Sequence, residues 1–427
     1  MVFKLSGLAK PTLAQARRER QDVVGHFTRI RDEHSAPTSR STVATVPTAT
    51  APKASAAVAT ALGVTVAVVM PVFLFGGLAV QITEELGMDV HAIGLIAGLY
   101  FAVCGLTAVP SGRLVERFGA PVAARLAVGL TAASMLGVAT LAREPIALTA
   151  LILLSAPANG LGQLAANTVL ADWAPKRRKG TLFGAKQAAV PLCTMLAGVS
   201  VPALALTAGW RWAFVAGGVV ALLALVPAAG LGRPAPPERV GDGRGIDRHL
   251  VVLAVAVGLG SAAANPLSSF LTTYAVDIGV SESLAGLNLT IGGLVGVVAR
   301  VGGGAIADRR GSGEIGITVV MFLGGAAGVA AFLTEQPWLL PVGTVAGFAL
   351  GWAWPGLMNF AVTKRYSKTP AAATSITQTG VYAGGAIGPI AFGFAVDHVG
   401  WNTAWIGVCA AMVAAAALIV LGARHRR

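Results

Sequence analysis

Residues 112–119 of the chain read GRLVERFG, and residues 304–311 read GAIADRRG. A shift of 192 residues (304 − 112) superimposes the glycines, an aliphatic residue, an acid and an arginine of the two strings. The matched sets are Gly112, Leu114, Glu116, Arg117 and Gly119 in the first string and Gly304, Ile306, Asp308, Arg309 and Gly311 in the second. Shifts of 191–192 also pair Asn167 with Asn359, Gln187 with Gln378, and Gly209-Trp210 with Gly400-Trp401. The sequence therefore predicts an internal duplication.

The composition identifies the surroundings in which the duplicated halves fold. Of 427 residues, 55% are hydrophobic and only 12% are charged. A further 54 residues are glycines, which have no polar side chain. Soluble domains carry about 25% charged residues, which they need to cover their surface. The mean hydropathy is positive, at +0.71, as expected of a chain with so many apolar residues. These values exclude a single soluble enzyme and predict a polytopic helical membrane protein.

Apolar runs of 20 or more residues recur from Ala56 onward, and about 20 apolar residues cross a hydrocarbon core. In lipid the backbone must be hydrogen-bonded within each segment, so the runs are expected to be helices. The sequence predicts twelve spans, at 57–81, 91–111, 121–141, 146–170, 184–208, 211–231, 250–276, 283–306, 315–334, 337–361, 373–395 and 402–422. The predicted domains are a basic tail (1–55), a six-helix bundle (56–231), a linker (232–249), a second six-helix bundle (250–422) and a short tail (423–427).

The basic residues predict the orientation of the spans. Of 32 Lys and Arg residues, 29 fall in the termini and in alternate connections or span ends, two (Arg143 and Arg211) fall in the other connections, and Lys186 lies within a span. Positive charge near span ends stays cytoplasmic. Both termini are therefore expected in the cytoplasm of a multi-pass protein of the cytoplasmic membrane. The net charge of +13 is thereby explained without a nucleic-acid partner. The N-terminal tail is expected either to be solvated or to lie on anionic lipid.

The two duplicated strings resemble the signature loop of the major facilitator superfamily (MFS), which follows spans 2 and 8 in its twelve-helix members. The resemblance covers roughly residues 57–422, and it implies an all-α fold of two pseudo-symmetric six-helix bundles, without cofactor or metal, expected as a monomer in the bilayer. It also implies a gating latch, formed by Gly112, Glu116, Arg117, Gly119, Gly304, Asp308, Arg309 and Gly311. Glu116 would address the start of span 11 near 372–375, and Asp308 the start of span 5 near 180–181. The first string departs from the family pattern in having Glu116 instead of Asp.

Polar side chains within the spans are the candidates for contact with a substrate, because they are costly in lipid and usually face a cavity. No Asp, Glu or His lies in the middle of a predicted span, and Lys186 is the clearest cation within one. It could bind an anion or extend toward the membrane surface. Arg300, near the end of span 8, is predicted mainly as a gate residue.

Neutral polar residues complete the candidate set. Asn159, Gln163 and Asn167 recur every four residues and so share one face of span 4. The predicted substrate-binding residues are Lys186, Gln187, Asn159, Gln163, Asn167, Asn265, Asn359, Gln378 and Trp354. The alternative for the amides is hydrogen bonding between helices, and for Trp352 and Trp354 it is helix packing. Cys104, Cys193 and Cys409 lack any paired spacing and are interpreted as packing residues.

The sequence thus favours a secondary transporter, not an enzyme, that moves a small organic or inorganic anion by rocker-switch alternating access. Efflux of amphipathic drugs or metabolites is one alternative, although the Arg of span 4 and the Gly-Pro signature of span 5 found in drug–proton antiporters are missing. A non-transporting membrane sensor is another. The acid-free spans favour facilitated diffusion or exchange, or coupling through a less obvious group such as Asp277.

Overall fold

The computed structural model describes residues 54–173, 179–225, 248–310, 313–366 and 370–424. Within these ranges every regular element is a helix. The predicted basic tail and most of the predicted linker lie outside them, so the proposed domain boundaries stay predictions.

Six membrane helices form the first half of the chain. Several of them are interrupted at glycine, serine or proline residues. Such breaks are tolerated in a membrane when neighbouring helices satisfy the backbone groups that lose their hydrogen bonds. They are α1 (Ala54–Gly77 with Ala79–Leu86), α2 (Val90–Phe118), α3 (Ala120–Leu141), α4 (Pro145–Leu154 with Ala156–Trp173), α5 (Lys179–Ser200 with Val201–Ala205) and α6 (Arg211–Leu223).

The second half repeats this order. Its helices are α7 (Arg248–Ser269 with Leu271–Asp277), α8 (Glu282–Arg310), α9 (Glu314–Val329 with Ala330–Thr334), α10 (Pro337–Leu339, Leu340–Ala346, Gly347–Gly351 and Pro355–Arg365), α11 (370–399) and α12 (401–424). The last two helices follow each other without a loop. The helical backbone is interrupted between them at Gly400, where φ is 84°.

The predicted all-helical membrane fold is confirmed. Ten described helices are long and apolar enough to cross a membrane, and the last of them, Ala373–Gly422, has 50 residues and contains both α11 and α12. The apolar helix α6 is shorter. Each of the twelve predicted spans overlaps one of the helices α1–α12, and the end of the sixth span, after residue 225, lies outside the described residues.

The turns show the duplication in the backbone as well as in the sequence. Gly87 and Gly279 both end a helix with a left-handed backbone, at φ values of 62° and 88°. Gly209 and Gly400 do the same at 100° and 84°. Such φ values cost glycine little because it has no Cβ. The two pairs are separated by 192 and 191 residues, the spacing of the repeated strings.

Two ends of the bundle can now be named. The motif side is the end at which α2 and α8 finish and α5 and α11 begin. The distal side is the opposite end, which carries the turns at Gly87, Gly209, Gly279 and Gly400. Large apolar side chains such as Leu106, Val109 and Ile146 remain exposed on the outside, as expected of helices that pack against lipid tails.

Candidate functional site

The two halves pack most extensively along two helix pairs, α5 with α8 and α2 with α11. At the motif side, a Cβ placed on Gly184 of α5 would lie 2.9 Å from the carbonyl oxygen of Arg300 in α8 and 3.3 Å from the Cα of Gly304. Toward the distal side, Gly94 of α2 lies directly against the carbonyl of Pro389 in α11. Glycine at these contacts lets the backbones approach closely, so residues near them can bridge the halves.

Lys186 of α5 is buried, with 2% of its surface exposed. Its ammonium group donates a hydrogen bond to Oε1 of Gln163 in α4. Both residues were candidates from the sequence, and the structure brings them together. An ammonium group has three N–H donors, and Gln163 is its one hydrogen-bond partner among the described residues.

Arg300 of α8 is also buried, but it is bound at several points. Its Nη1 donates to the backbone carbonyl of Gln187 in α5 at 2.7 Å, and its Nη2 donates to the carbonyl of Trp352 in α10 at 2.8 Å. Its guanidinium carbon lies 5.0 Å from the centre of the Trp352 ring. α10 is interrupted before Pro355, so Arg300 joins the two halves at a break in a helix.

Among the described residues, no acidic side chain forms an ion pair with either cation. The ion pairs between described residues are Arg211–Glu85 at 2.5 Å and Lys364–Glu314 at 3.1 Å. Glu314 is the one acid in the described part whose side chain is buried, and it begins α9. Asp277, the predicted alternative for coupling, is exposed at the end of α7. Within the described ranges, Lys186 and Arg300 thus have no carboxylate partner.

The polar face of α4 changes in exposure along the helix. Asn159 is buried, Gln163 is half-buried and Asn167, nearest the motif side, is exposed. At the distal side the halves touch. The Thr272 hydroxyl donates to the Gly76 carbonyl at 3.3 Å, and Gln81 Nε2 donates to Glu282 Oε2 at 2.5 Å. The substrate candidates on α4 are therefore more accessible from the motif side.

The candidates of the second half divide into two groups. Asn359 and Gln378 are half-buried. Asn265 is buried and donates to the Ser261 carbonyl at 2.8 Å, a hydrogen bond within α7 and not the bond between helices that was the alternative to substrate contact. Trp354 is fully buried, with its ring centre 5.3 Å from that of Phe322. This ring contact is the helix packing named as the alternative for Trp354, and substrate contact by Trp354 and Asn265 stays a prediction.

The residues of the predicted latch are only partly described. Glu116 and Arg117 are exposed at the end of α2, and Gly119 has a φ of 82° in the turn that follows. The Asp308 side chain, Gly311 and the side chains of 171–180 and 370–372 lie outside the described part. The latch therefore stays a prediction.

Two features of the site were missed from the sequence. One is the contact of Arg300 with the carbonyl and the ring of Trp352. The Trp-Ala-Trp-Pro order at 352–355 could have indicated a break in the helix there, because proline interrupts a helix. The other is the surroundings of Asn159. Beside it the Cys104 thiol of α2 donates to the Ala156 carbonyl of α4 at 3.2 Å, and Tyr382 of α11 packs against Gly105 of α2.

Solved structures with the same fold are transporters. One is described as a bacterial homolog to the human lysosomal transporter Spinster, in an inward-facing and unoccupied conformation. It is 16% identical, with a TM-score of 0.65, and the match covers 87% of this chain and 96% of that one. Another is a D-xylose-proton symporter, also 16% identical, with a TM-score of 0.67 and coverage of 86% and 96%. At this identity the likeness concerns the fold alone.

Comparison by sequence identifies the family. None of the curated protein sequences compared with the chain matches it significantly. Residues 56–364 and 250–427 match the family described as Major Facilitator Superfamily. These ranges take in both halves and both copies of the repeated string, and the twelve-helix fold agrees with them. The chain belongs to the Major Facilitator Superfamily of membrane transporters.

Proposed function

We propose that the protein is a secondary transporter that carries a small anion across the cytoplasmic membrane by alternating access, with Lys186 as the group that binds the anion. The observation that carries this proposal is the environment of Lys186: a buried ammonium group, one neutral hydrogen-bond partner, and no carboxylate within the described ranges.

The physical argument is the cost of burying charge. A buried cation without a counter-ion is strongly unfavourable, so buried charges are normally paired. Lys186 has N–H donors left over after Gln163 is satisfied, and an anion supplies both the acceptors and the opposite charge. Intramembrane ionisable residues usually mark substrate or ion pathways for this reason. An anion that moves with the alternating halves would be the missing partner.

Arg300 has a different role in this proposal. Its charge is already solvated by two carbonyls and an aromatic ring, and it ties α8 to both α5 and α10. We propose that Arg300 holds the two halves together next to the anion-binding site. Its removal is expected to disturb the approach of the halves more than the recognition of the anion.

The closed distal contacts and the exposed motif-side end of α4 support an inward-facing conformation, given the cytoplasmic motif side that the distribution of basic residues predicts. The latch residues Glu116 and Asp308 would then engage in the outward-facing state. This orientation is part of the proposal.

Flux of radiolabelled acetate, propionate and inorganic anions into proteoliposomes tests the proposal. The wild-type protein should transport at least one of these classes, and Lys186→Gln should reduce that flux by about 30-fold or more, because it removes the charged partner of a desolvated anion. Lys186→Arg should retain part of the flux.

Arg248→Gln is the matched control, since it removes an exposed cation at the start of α7 and is expected to leave flux unchanged. Equal flux in wild type and Lys186→Gln would contradict the assignment of Lys186. Flux of amphipathic cations that does not depend on Lys186 would favour the efflux alternative, and no flux of any solute would favour a sensor.

A further inference from the structure

A second polar group lies one helical turn from the anion site, in the contact between the halves. Asn159 of α4 is buried, with 4% of its surface exposed. Four residues separate it from Gln163, which corresponds to about 6 Å along the helix. Beside it α4 packs on α2, where the Cys104 thiol donates to the Ala156 carbonyl, and α2 packs on α11, where Gly105 lies against Tyr382. The first and second halves therefore both contribute to this group.

Two side chains of α2 have already used their donors elsewhere. The Tyr100 hydroxyl donates to the Val68 carbonyl at 3.1 Å, and the Cys104 thiol donates to the Ala156 carbonyl at 3.2 Å. Since each of these groups has a single hydrogen to donate, neither has a hydrogen left for Asn159 Oδ1.

The oxygen end of the Asn159 amide is left without a partner in the described part of the chain. Asn159 Oδ1 is buried and accepts no hydrogen bond from any described residue. A buried carbonyl-type oxygen without a donor costs free energy, and such orphaned groups in a native structure call for a ligand or water. The group that satisfies Oδ1 must carry an O–H or N–H, because Oδ1 is an acceptor.

We propose that Asn159 is a specificity-determining residue, and that the transported substrate is a small organic anion with a hydrogen-bond donor, such as a hydroxycarboxylate, whose donor reaches Asn159 Oδ1 while its carboxylate pairs with Lys186. This inference rests on the proposed function, since it places the anionic end of the substrate at Lys186.

The spacing of the two residues agrees with this substrate class. Gln163 accepts from Lys186 and lies one turn from Asn159, so the two substrate groups need to be separated by only a few bonds. The flanking Tyr382 belongs to α11, and a Cβ on Gly105 of α2 would lie 3.4 Å from the Cβ of Tyr382. A substrate donor can therefore reach Asn159 Oδ1 when the α2–α11 contact opens during the transport cycle.

Paired substrates test this inference in proteoliposomes of the full-length protein. Lactate and 3-hydroxybutyrate are compared with propionate and butyrate, which differ only in lacking the hydroxyl. In the wild type, the hydroxy acids should have a kcat/KM about 5- to 10-fold higher, the value of one added hydrogen bond to a buried group. Asn159→Leu should reduce this ratio to about one while leaving transport of propionate intact. Asn402→Leu, which changes an exposed asparagine at the distal side, should keep the wild-type ratio.

A substrate variant makes the test independent of any folding defect in Asn159→Leu. 2-Methoxypropionate keeps the oxygen of lactate but has no donor, so it should compete with labelled lactate no better than propionate does. Competition equal to that of lactate would overturn the inference, as would an unchanged preference in Asn159→Leu. If carboxylates are transported in a Lys186-dependent manner without preference for the hydroxy acid, this inference fails while the proposed function stands. If no carboxylate is transported, the proposed function itself fails.

Discussion

Lys186 and Arg300 are both buried cations at the junction of the two halves, and their surroundings differ. Arg300 donates to two backbone carbonyls and lies over the Trp352 ring. Lys186 donates to one neutral side chain, Gln163. Both lack a carboxylate partner within the described ranges. The protein thus binds Arg300 at more points than Lys186, although Arg300 Nε has no hydrogen-bond partner among the described residues, and we propose that a ligand takes up the charge of Lys186.

This difference teaches how a buried charge can be assigned a role. Removing a buried cation that is well bonded leaves its partners unsatisfied and destabilises the fold. Removing a buried cation that is poorly bonded relieves a desolvation cost. The two residues should therefore respond oppositely to the same substitution, although each lies in a membrane helix next to the same interface.

The largest expected effect is on stability at Arg300. Arg300→Met leaves the carbonyls of Gln187 and Trp352 without their donor, at about 1–3 kcal/mol for each buried group. We expect the Tm of the purified protein in detergent to fall by about 5 °C or more. Arg300→Lys, which can satisfy one carbonyl, should show a smaller decrease. A Tm within 1 °C of the wild type in Arg300→Met would remove the distinction between the two cations.

The second effect has the opposite sign. Lys186→Met replaces an unpaired buried charge by an apolar side chain of similar length, a change that is often neutral or stabilising. In the absence of added anion we expect the Tm to rise by about 2–4 °C. A pronounced decrease in Tm would show that Lys186 is a structural residue like Arg300.

A third change sharpens the comparison at the single partner of Lys186. Gln163→Leu removes the acceptor that orients the ammonium group, so anion transport should continue with a KM raised about 5-fold, the value of one hydrogen bond. Initial rates at varied anion concentration measure this. Loss of transport as complete as in Lys186→Gln would mean that Gln163, not the charge, carries recognition.

The smallest effect concerns a cation that does have a carboxylate. Glu85 lies beyond the spanning segment Ala56–Gly77. Burial alone would raise its pKa, but the hydrogen bonds from Arg211 and Trp210 and the charge of Arg211 have the larger effect. The pKa of Glu85 is therefore lowered below its ordinary value of 4.5. The pairing stabilises the folded protein at pH values above this ordinary pKa. The stabilisation is lost as the pH falls through the lowered pKa. The Glu85 side chain is 47% exposed and solvent screens the pair, so Arg211→Gln should lower the Tm by only about 1–2 °C at pH 7. At pH 3 the difference from the wild type should shrink, and a constant difference between the two pH values would contradict this reasoning.

Much of the fold could be predicted from the sequence because lipid leaves few options. Apolar runs of 20 residues must be helices there, and all twelve predicted spans overlap observed helices. The residues that interrupt them were less predictable. The break of α10 before Pro355 and the left-handed turns at Gly87 and Gly279 depend on local backbone conformations that hydropathy does not reveal.

The candidate site was only partly predictable. The four-residue spacing of Asn159, Gln163 and Asn167 correctly indicated one face of α4, because that spacing is a property of the helix itself. The partner of each residue depends on how neighbouring helices pack. Lys186 and Gln163 were therefore both selected from the sequence, but their hydrogen bond was not. For the same reason the contact of Trp354 with Phe322 could not be predicted, and its contact with a substrate stays a prediction.

The central claim, that Lys186 is the anion-binding residue, is tested most directly by thermal shift with added anion. Binding to the native state raises apparent stability by RT ln(1 + [L]/Kd), about 2.7 kcal/mol at 100 times Kd. Lactate is titrated into wild type and Lys186→Met in the same detergent and at constant ionic strength. The account predicts a Tm that rises with concentration in the wild type and stays flat in Lys186→Met. Equal shifts in both proteins, or none in the wild type, would contradict it.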